Sequence, residues 1–398
     1  MKLNILIGSL GNGGAERVVS ELLQNPPSDI EITATLFTLD NKSYTSGESI
    51  IYSIEDRIEY NILSKLFYKF ARRTLFRVYS FYTILKQDDY DLSVSFLNYE
   101  NCINLAVSKF LGIRTVVSIR NNPALDVADS KIVMFFQKHL LRILSPYLIV
   151  NSNENKIWIV DNYHINGDKC ISIYNPKNIN NIQTLAQESI EEDFFKTDEI
   201  ILLTVGRLSA QKGHVHLLRI FSHLIKVVPC RLVICGKGEL ESSLKQYAID
   251  LGISDSVYLT GWSDNPYKYM QNADIFVFPS LFEGQPNALI EAMICGCPIV
   301  SADCDYGPRE ILDCGKYGVL TKKLDEPISD VVNSPLTDGE IDFYTKVLNL
   351  IEHPELREKY SCLSKERIDI FNHEDILKKY YDVFRAAVNG ESLIHLKD

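Results

Sequence analysis

Glu283 and Glu291 stand eight positions apart in FPSLFEGQPNALIEAM (278–293), a stretch whose residue types suit the binding of hydroxyls and an anion. The apolar run IFVFPS reads as a buried strand that stops at Pro279. Glu283 and Gly284 follow on a turn, and Pro286 suits the first position of a helix carrying Glu291. A carboxylate at the strand end would meet an uncharged polyol such as a sugar ring. One a turn into the helix would accept two hydrogen bonds from a ribose diol. The backbone N–H groups of Gln285, Pro286's successors Asn287 and Ala288, and Leu289 would cap an anion. Two unrelated surface acids would be the bland interpretation, but it explains neither the buried strand nor the Gly-x-Pro turn.

Cations for such an anion stand in TVGRLSAQKG (204–213). Arg207 and Lys212 leave a strand end five residues apart, on a loop where a diphosphate would need positive charge. A third segment, SLGNGGAERV (9–18), opens a helix after the first strand. Gly11, Gly13 and Gly14 let backbone N–H groups approach a phosphate, although the spacing is not GxGxxG and does not fit a nicotinamide site. Cys295, Cys297 and Cys304 lack a nearby His at ligand spacing and read as small buried residues. Asp303 and Asp305 form a DxD inside a longer motif, and no metal or cofactor is expected.

The elements that must position these residues alternate strand and helix throughout the 398 residues, which predicts parallel sheets built from βαβ units. Strand-like runs are LNILIGS, ITATLFTL, DLSVSFL, TVVSIR and YLIVNS, then IILLTVGR, RLVICG, SVYLTG, IFVFPS and CPIVSA. The polar stretch between the two series separates a first Rossmann-like domain (1–175) from a second (199–372), with a linker at 176–198. The last helix, 373–398, either closes the second domain or crosses back to the first. Two doubly wound domains facing a central cleft would bind ligands beyond the carboxyl ends of their strands. No apolar run reaches the length of a spanning helix, and the N-terminus reads as a strand rather than a signal peptide. Nine scattered Cys without CxxC pairs fit reduced thiols in a cytoplasm. Residues 1–190 hold nineteen basic and nineteen acidic side chains, so the remaining 22 basic and 33 acidic ones carry the whole net charge of −11. Such an acidic chain is a poor nucleic-acid binder.

Taken together, GNGGAE (11–16), VGRLSAQKG (205–213), ICGKGEL (234–240), FEGQPNALIEAM (282–293) and CDYGPREIL (304–312) resemble, in this order, the retaining GT-B glycosyltransferases of family 4, group 1. The resemblance spans nearly the full chain. It implies transfer of a hexose or N-acetylhexosamine from a nucleotide diphosphate sugar, UDP-linked, by metal-independent front-face displacement. Glu283 would then contact the donor sugar and Glu291 the ribose, while Arg207 and Lys212 hold the diphosphate. Gly13, Gly14 and the turn Gly284, Gln285, Pro286, Asn287 and Ala288 would complete the diphosphate cradle, with the base near Trp262. One departure stands at SIRNN (118–122): relatives carry a His where this chain has Arg120, which with Asn121 would face the sugar or acceptor.

On the acceptor side, SKLFYKFARRTLFRVYSFYTILK (64–86) holds six basic residues and no acid. Lys65, Lys69, Arg73 and Arg77 recur at i, i+4 with Arg72 beside them, a stripe expected on a lipid diphosphate or an anionic membrane. KIVMFFQKHLLRILSPY (131–147) is likewise basic and apolar without an acid. The pattern is similar to bacterial transferases, N-acetylgalactosaminyltransferases among them, that extend undecaprenyl-diphosphate-linked oligosaccharides. It implies a peripheral protein on the inner face of the cytoplasmic membrane, serving O-antigen, capsule or glycoprotein glycan assembly. Two other readings compete: a GT-B sugar-nucleotide 2-epimerase, which would convert donor without acceptor, and a non-catalytic nucleotide-sugar-binding protein, which would not need Glu283.

Overall fold

The structure, a computed structural model, describes all residues except 12, 25, 40–43, 48, 56–70, 121–130, 325–327, 329, 330, 397 and 398. The chain divides into two compact units, Met1–Pro176 with Glu374–Asp398, and Lys177–His373. The first holds strands β1 (Lys2–Ile7), β2 (Glu31–Leu36), β3 (Ile50–Ser53), β4 (Leu92–Phe96), β5 (Arg114–Ile119), β6 (Tyr147–Val150) and β7 (Cys170–Ser172). Its helices are α1 (Gly14–Gln24), α2 (Ala71–Gln87), α3 (Asn98–Leu111), α4 (Lys131–Leu144) and α5 (Asn153–Tyr163). The second holds β8 (Ile200–Val205), β9 (Cys230–Cys235), β10 (Val257–Gly261), β11 (Ile275–Phe278), β12 (Ile299–Ala302) and β13 (Val319–Thr321). Around them run α6 (Ile179–Ala186), α7 (His214–Leu224), α8 (Glu241–Asp250), α9 (Tyr267–Asn272) and α10 (Asn287–Ile294). Then come α11 (Pro308–Ile311), α12 (Asp338–Glu352), α13 (Pro354–Arg367) and, last in the chain, α14 (His373–Asn389).

Every strand pair is parallel. The sheets run β3-β2-β1-β4-β5-β6-β7 and β10-β9-β8-β11-β12-β13, both doubly wound. Parallel strands bury both faces, and β1 shows it: Leu3, Ile5 and Ile7 point into one core cluster and Leu6 into another. The ten sequence-expected strands are all present. The three extra ones, β3, β7 and β13, have three or four residues and lie at sheet edges.

In each sheet the strand order reverses once, between β1 and β4 and between β8 and β11. Crossover helices diverge at such a point and leave room for a ligand beyond the carboxyl ends. The stretch expected as a linker instead carries α6 and packs within the second unit, through the contacts of α6 with α9 and α10. The C-terminal helix belongs to the first unit. Ile376, Leu377, Tyr380, Tyr381, Phe384 and Ala387 repeat at helical spacing and are buried in the core around β1 and α1, where Tyr381 donates to the Leu22 carbonyl at 2.9 Å. Among the described residues no helix is long and apolar enough to cross a membrane.

Candidate active site

At the switch point of the second sheet, four loops are laced together by backbone, the first two being those after β8 and β9. After β8, the Gly206 N–H donates to the Cys235 carbonyl at 3.0 Å and the Leu208 N–H to that of Lys237 at 3.0 Å. The closeness explains Gly236, with φ of 152°: a Cβ there would stand 1.9 Å from the Gly206 carbonyl oxygen. The loop after β11 is tied in next. Its Leu281 N–H donates to the Gln211 carbonyl at 2.8 Å, and Gln211 Nε2 donates to that of Phe282 at 2.8 Å. Gly213, left-handed at φ 64°, lies so close that a Cβ would come within 2.0 Å of the Pro279 oxygen. The fourth loop, after β12, joins through the Glu283 N–H, which donates to the Asp305 carbonyl at 3.2 Å.

This lacing sets the side chains. Lys212 Nζ lies 2.5 Å from Glu283 Oε1, so the expected diphosphate cation and sugar carboxylate form one ion pair. Arg207 is exposed on the same loop. Gly284, Gln285 and Pro286 are buried in the turn that follows. Pro286 occupies the N-cap of α10 with extended backbone, one position earlier than the sequence implies, and the helix starts at Asn287. Glu291, the fifth residue of α10, lies 2.5 Å from Lys177 Nζ. Trp262 is exposed beyond β10, its indole N–H donating to Asp264 at 2.9 Å. Asp303 and Asp305 form ion pairs with Arg309 and Lys323 respectively. Cys295, Cys297 and Cys304 are buried. Among the described residues no group of three or more His, Cys, Asp or Glu side chains is placed to hold a metal ion.

The second unit also carries a family signature: residues 186–347 match the model for glycosyl transferases group 1. Over 95% of its length the chain is 30% identical to a Campylobacter jejuni protein, covering 97% of it. That relative is the N-acetylgalactosamine-N,N'-diacetylbacillosaminyl-diphospho-undecaprenol 4-alpha-N-acetylgalactosaminyltransferase. The chain belongs to the group 1 glycosyltransferases. An uncharacterized glycosyltransferase of Methanocaldococcus jannaschii is 33% identical over 67% of this chain and 70% of its own. The fold matches that of Anabaena HepE, solved in complex with UDP, with a TM-score of 0.74 at 17% identity over 97% of this chain and all of that one.

In this glycosyltransferase several partners could not be foreseen. Lys177, inside the stretch expected as a linker, is fully buried. Its N–H donates to the Phe371 carbonyl at 2.8 Å and its carbonyl accepts from the His373 N–H at 3.0 Å, which clamps the backbone from which it reaches Glu291. His214 and Ser280 adjoin the Gly213–Pro279 contact, and His214 Nδ1 and Ser280 Oγ are buried polar atoms without a protein hydrogen bond among the described residues. Burial, then the charge of Lys212, holds His214 down at about 4, so its ring is neutral at pH 7. Only the Lys-Gly-His order marks this residue in the sequence.

In the first unit, residues expected at the acceptor side have partners within the protein. Arg120, expected to face the sugar or acceptor, is buried, donating to the Tyr380 hydroxyl at 2.7 Å and to Asn175 Oδ1. Tyr380 lies on α14, 260 residues on, and its place beside β5 exists only in the folded chain. Of the i, i+4 cationic stripe, Arg73 and Arg77 are the members with described side chains. Arg73 and Arg77 both pair with Glu55, and the Arg77 guanidinium lies 4.0 Å from the centroid of Phe37. A carboxylate just past β3 thus engages two of the cations expected at phosphate. Lys65, Lys69, the Arg72 side chain and Asn121 lie outside the described residues. Gly13 and Gly14 stand where α1 begins, beyond the carboxyl end of β1.

Proposed function

We propose that this glycosyltransferase moves a hexose or N-acetylhexosamine from a UDP-sugar to a saccharide carried on undecaprenyl diphosphate, with retention and without a metal. The Lys212–Glu283 ion pair at the sheet's switch point, with Arg207 on the same loop, is the observation that carries it. A diphosphate arriving there meets two cations on a backbone-laced frame, and a sugar meets Glu283. In the reaction the acceptor hydroxyl oxygen bonds to the anomeric carbon while the bond from that carbon to the diphosphate oxygen breaks. The acceptor proton passes to the departing phosphate on the same face, so no enzymic nucleophile is required. Lys212 and Arg207 stabilise the charge that develops on the leaving group. Glu291, held by Lys177, takes the ribose hydroxyls, and Trp262 lies by the base.

The lipid-linked acceptor follows from likeness to the Campylobacter relative, and UDP from likeness to N-acetylhexosaminyltransferases. Such an acceptor places the enzyme at the inner face of the cytoplasmic membrane, in bacterial surface-glycan assembly. Incubating the protein with a panel of UDP-sugars and a synthetic undecaprenyl-diphosphate-linked saccharide in excess chelator tests the reading. It predicts an α-linked product from an α-linked donor. Inversion, loss of activity rescued by a divalent ion, or conversion of donor without acceptor would each overturn part of it.

A further inference from the structure

Side chains along an α-helix advance by roughly 100° per residue. On α4 this sets Val133, Gln137 and Leu141 on the side packed against the unit: Gln137 and Leu141 are buried, Gln137 donates to Asn98 on α3 at 3.0 Å, and the Val133 carbonyl faces Cys102 Sγ at 3.7 Å. The opposite arc holds Ile132, Phe135, Phe136, His139 and Ile143. The four apolar members are 65%, 59%, 56% and 76% exposed. Along one edge of that arc run Lys131, Lys138 and Arg142, and no acidic residue occurs between 131 and 147.

A helix with a core face ordinarily turns polar residues outward. Here the outward face is apolar with a cationic flank, on a chain whose net charge is −11. That combination is the chemistry of a helix lying at an anionic lipid surface. An antiparallel symmetric contact between two copies would set the cationic rows side by side, which disfavours that dimer. We infer that α4 docks the first unit on an anionic bilayer. Phe135, Phe136, Ile132 and Ile143 enter the boundary of headgroups and acyl chains, and Lys131, Lys138 and Arg142 meet lipid phosphates. The inference deepens the proposed function, resting on its lipid-borne acceptor, and moves the docking surface from the stripe that includes Arg73 and Arg77, which Glu55 engages, to α4.

Co-sedimentation of the full chain with vesicles tests this, using phosphatidylglycerol mixed with phosphatidylethanolamine against phosphatidylcholine alone. Binding should favour the anionic vesicles by about tenfold or more and weaken in high salt. Phe135→Ser with Phe136→Ser should lower partition by about tenfold, with the thermal midpoint unchanged because both rings are exposed. Lys131→Gln, Lys138→Gln and Arg142→Gln together should erase the anionic preference. Equal binding to both vesicles, or wild-type partition by the double Ser variant, overturns the inference. So does a dimer that the double Ser variant dissolves without any vesicle binding. Vesicle binding with no transfer to the lipid-linked acceptor would instead sink the proposed function and leave the surface standing.

Discussion

Two lysine–glutamate pairs hold the second unit's site, at the same 2.5 Å separation and in different surroundings. At the switch-point loops the Lys212 side chain is 20% exposed against Glu283 at 8%. At α10 the Lys177 side chain is 1% exposed against Glu291 at 11%. An ammonium that water reaches can exchange its partner for an arriving phosphate at modest cost. One sealed in the fold cannot move without leaving a buried charge uncompensated. The first pair is therefore suited to chemistry and the second to holding a carboxylate still. Equal distance between charges says little about their task; access decides it.

The largest effect should come from breaking the sealed pair. Lys177→Ala should destabilise the protein by about 3–5 kcal/mol in denaturant unfolding, since Glu291 loses its buried counter-charge. Replacing both partners, Lys177→Met with Glu291→Leu, should recover most of that stability while nucleotide diphosphate binding stays about tenfold weaker than in the parent. Recovery of binding in the double variant would deny Glu291 any contact with ligand.

Lys212→Ala should cost at least about 100-fold in turnover, roughly 3 kcal/mol of leaving-group stabilisation, with a smaller loss of fold stability than Lys177→Ala. The reverse order in the two measurements would dissolve the contrast between the pairs.

A third carboxylate calibrates burial. Burial pushes Glu340 up, but hydrogen bonds from His216 and Arg219 outweigh it and hold the acid down at about 2. A carboxylate depressed from its ordinary value of 4.5 contributes stability above that pH, which disappears as pH falls through about 2. Unfolding across this window should show a loss of up to about 3 kcal/mol that Glu340→Gln, already destabilised at pH 7, lacks. A parallel acid profile in the variant would remove Glu340 as the cause.

The smallest effect separates the two acids of the Glu-x7-Glu motif. Glu291→Ala leaves Lys177 uncompensated and should destabilise much as Lys177→Ala does. The folded variant should bind nucleotide diphosphate about tenfold more weakly, whereas Glu283→Ala should lower turnover and leave that binding nearly intact. Calorimetric titration with UDP reads the difference, and equal losses would merge the roles assigned to them.

Much of this protein is legible from its sequence, because the information is local. Apolar runs of about six residues mark ten parallel strands. The loops after β8, β9, β11 and β12 carry their motifs in an order that identifies the family. Gly213 and Gly236 stand out as residues of those motifs, and the structure adds the carbonyl oxygens that forbid a side chain there. What tertiary structure alone decided is which side chains meet. Lys177 reaches Glu291 across 114 positions, Lys212 reaches Glu283 across 71, and Arg120 reaches Tyr380 across 260. Spacing along a chain constrains neighbours within a helix turn or a strand pair. Strand order in a doubly wound sheet brings distant loops to one switch point, and the return of α14 gives Arg120 a buried partner in Tyr380. The same holds at the surface: one carboxylate, Glu55, takes up Arg73 and Arg77. Folding also leaves the apolar face of α4 in the open, which composition cannot distinguish from a face packed inside.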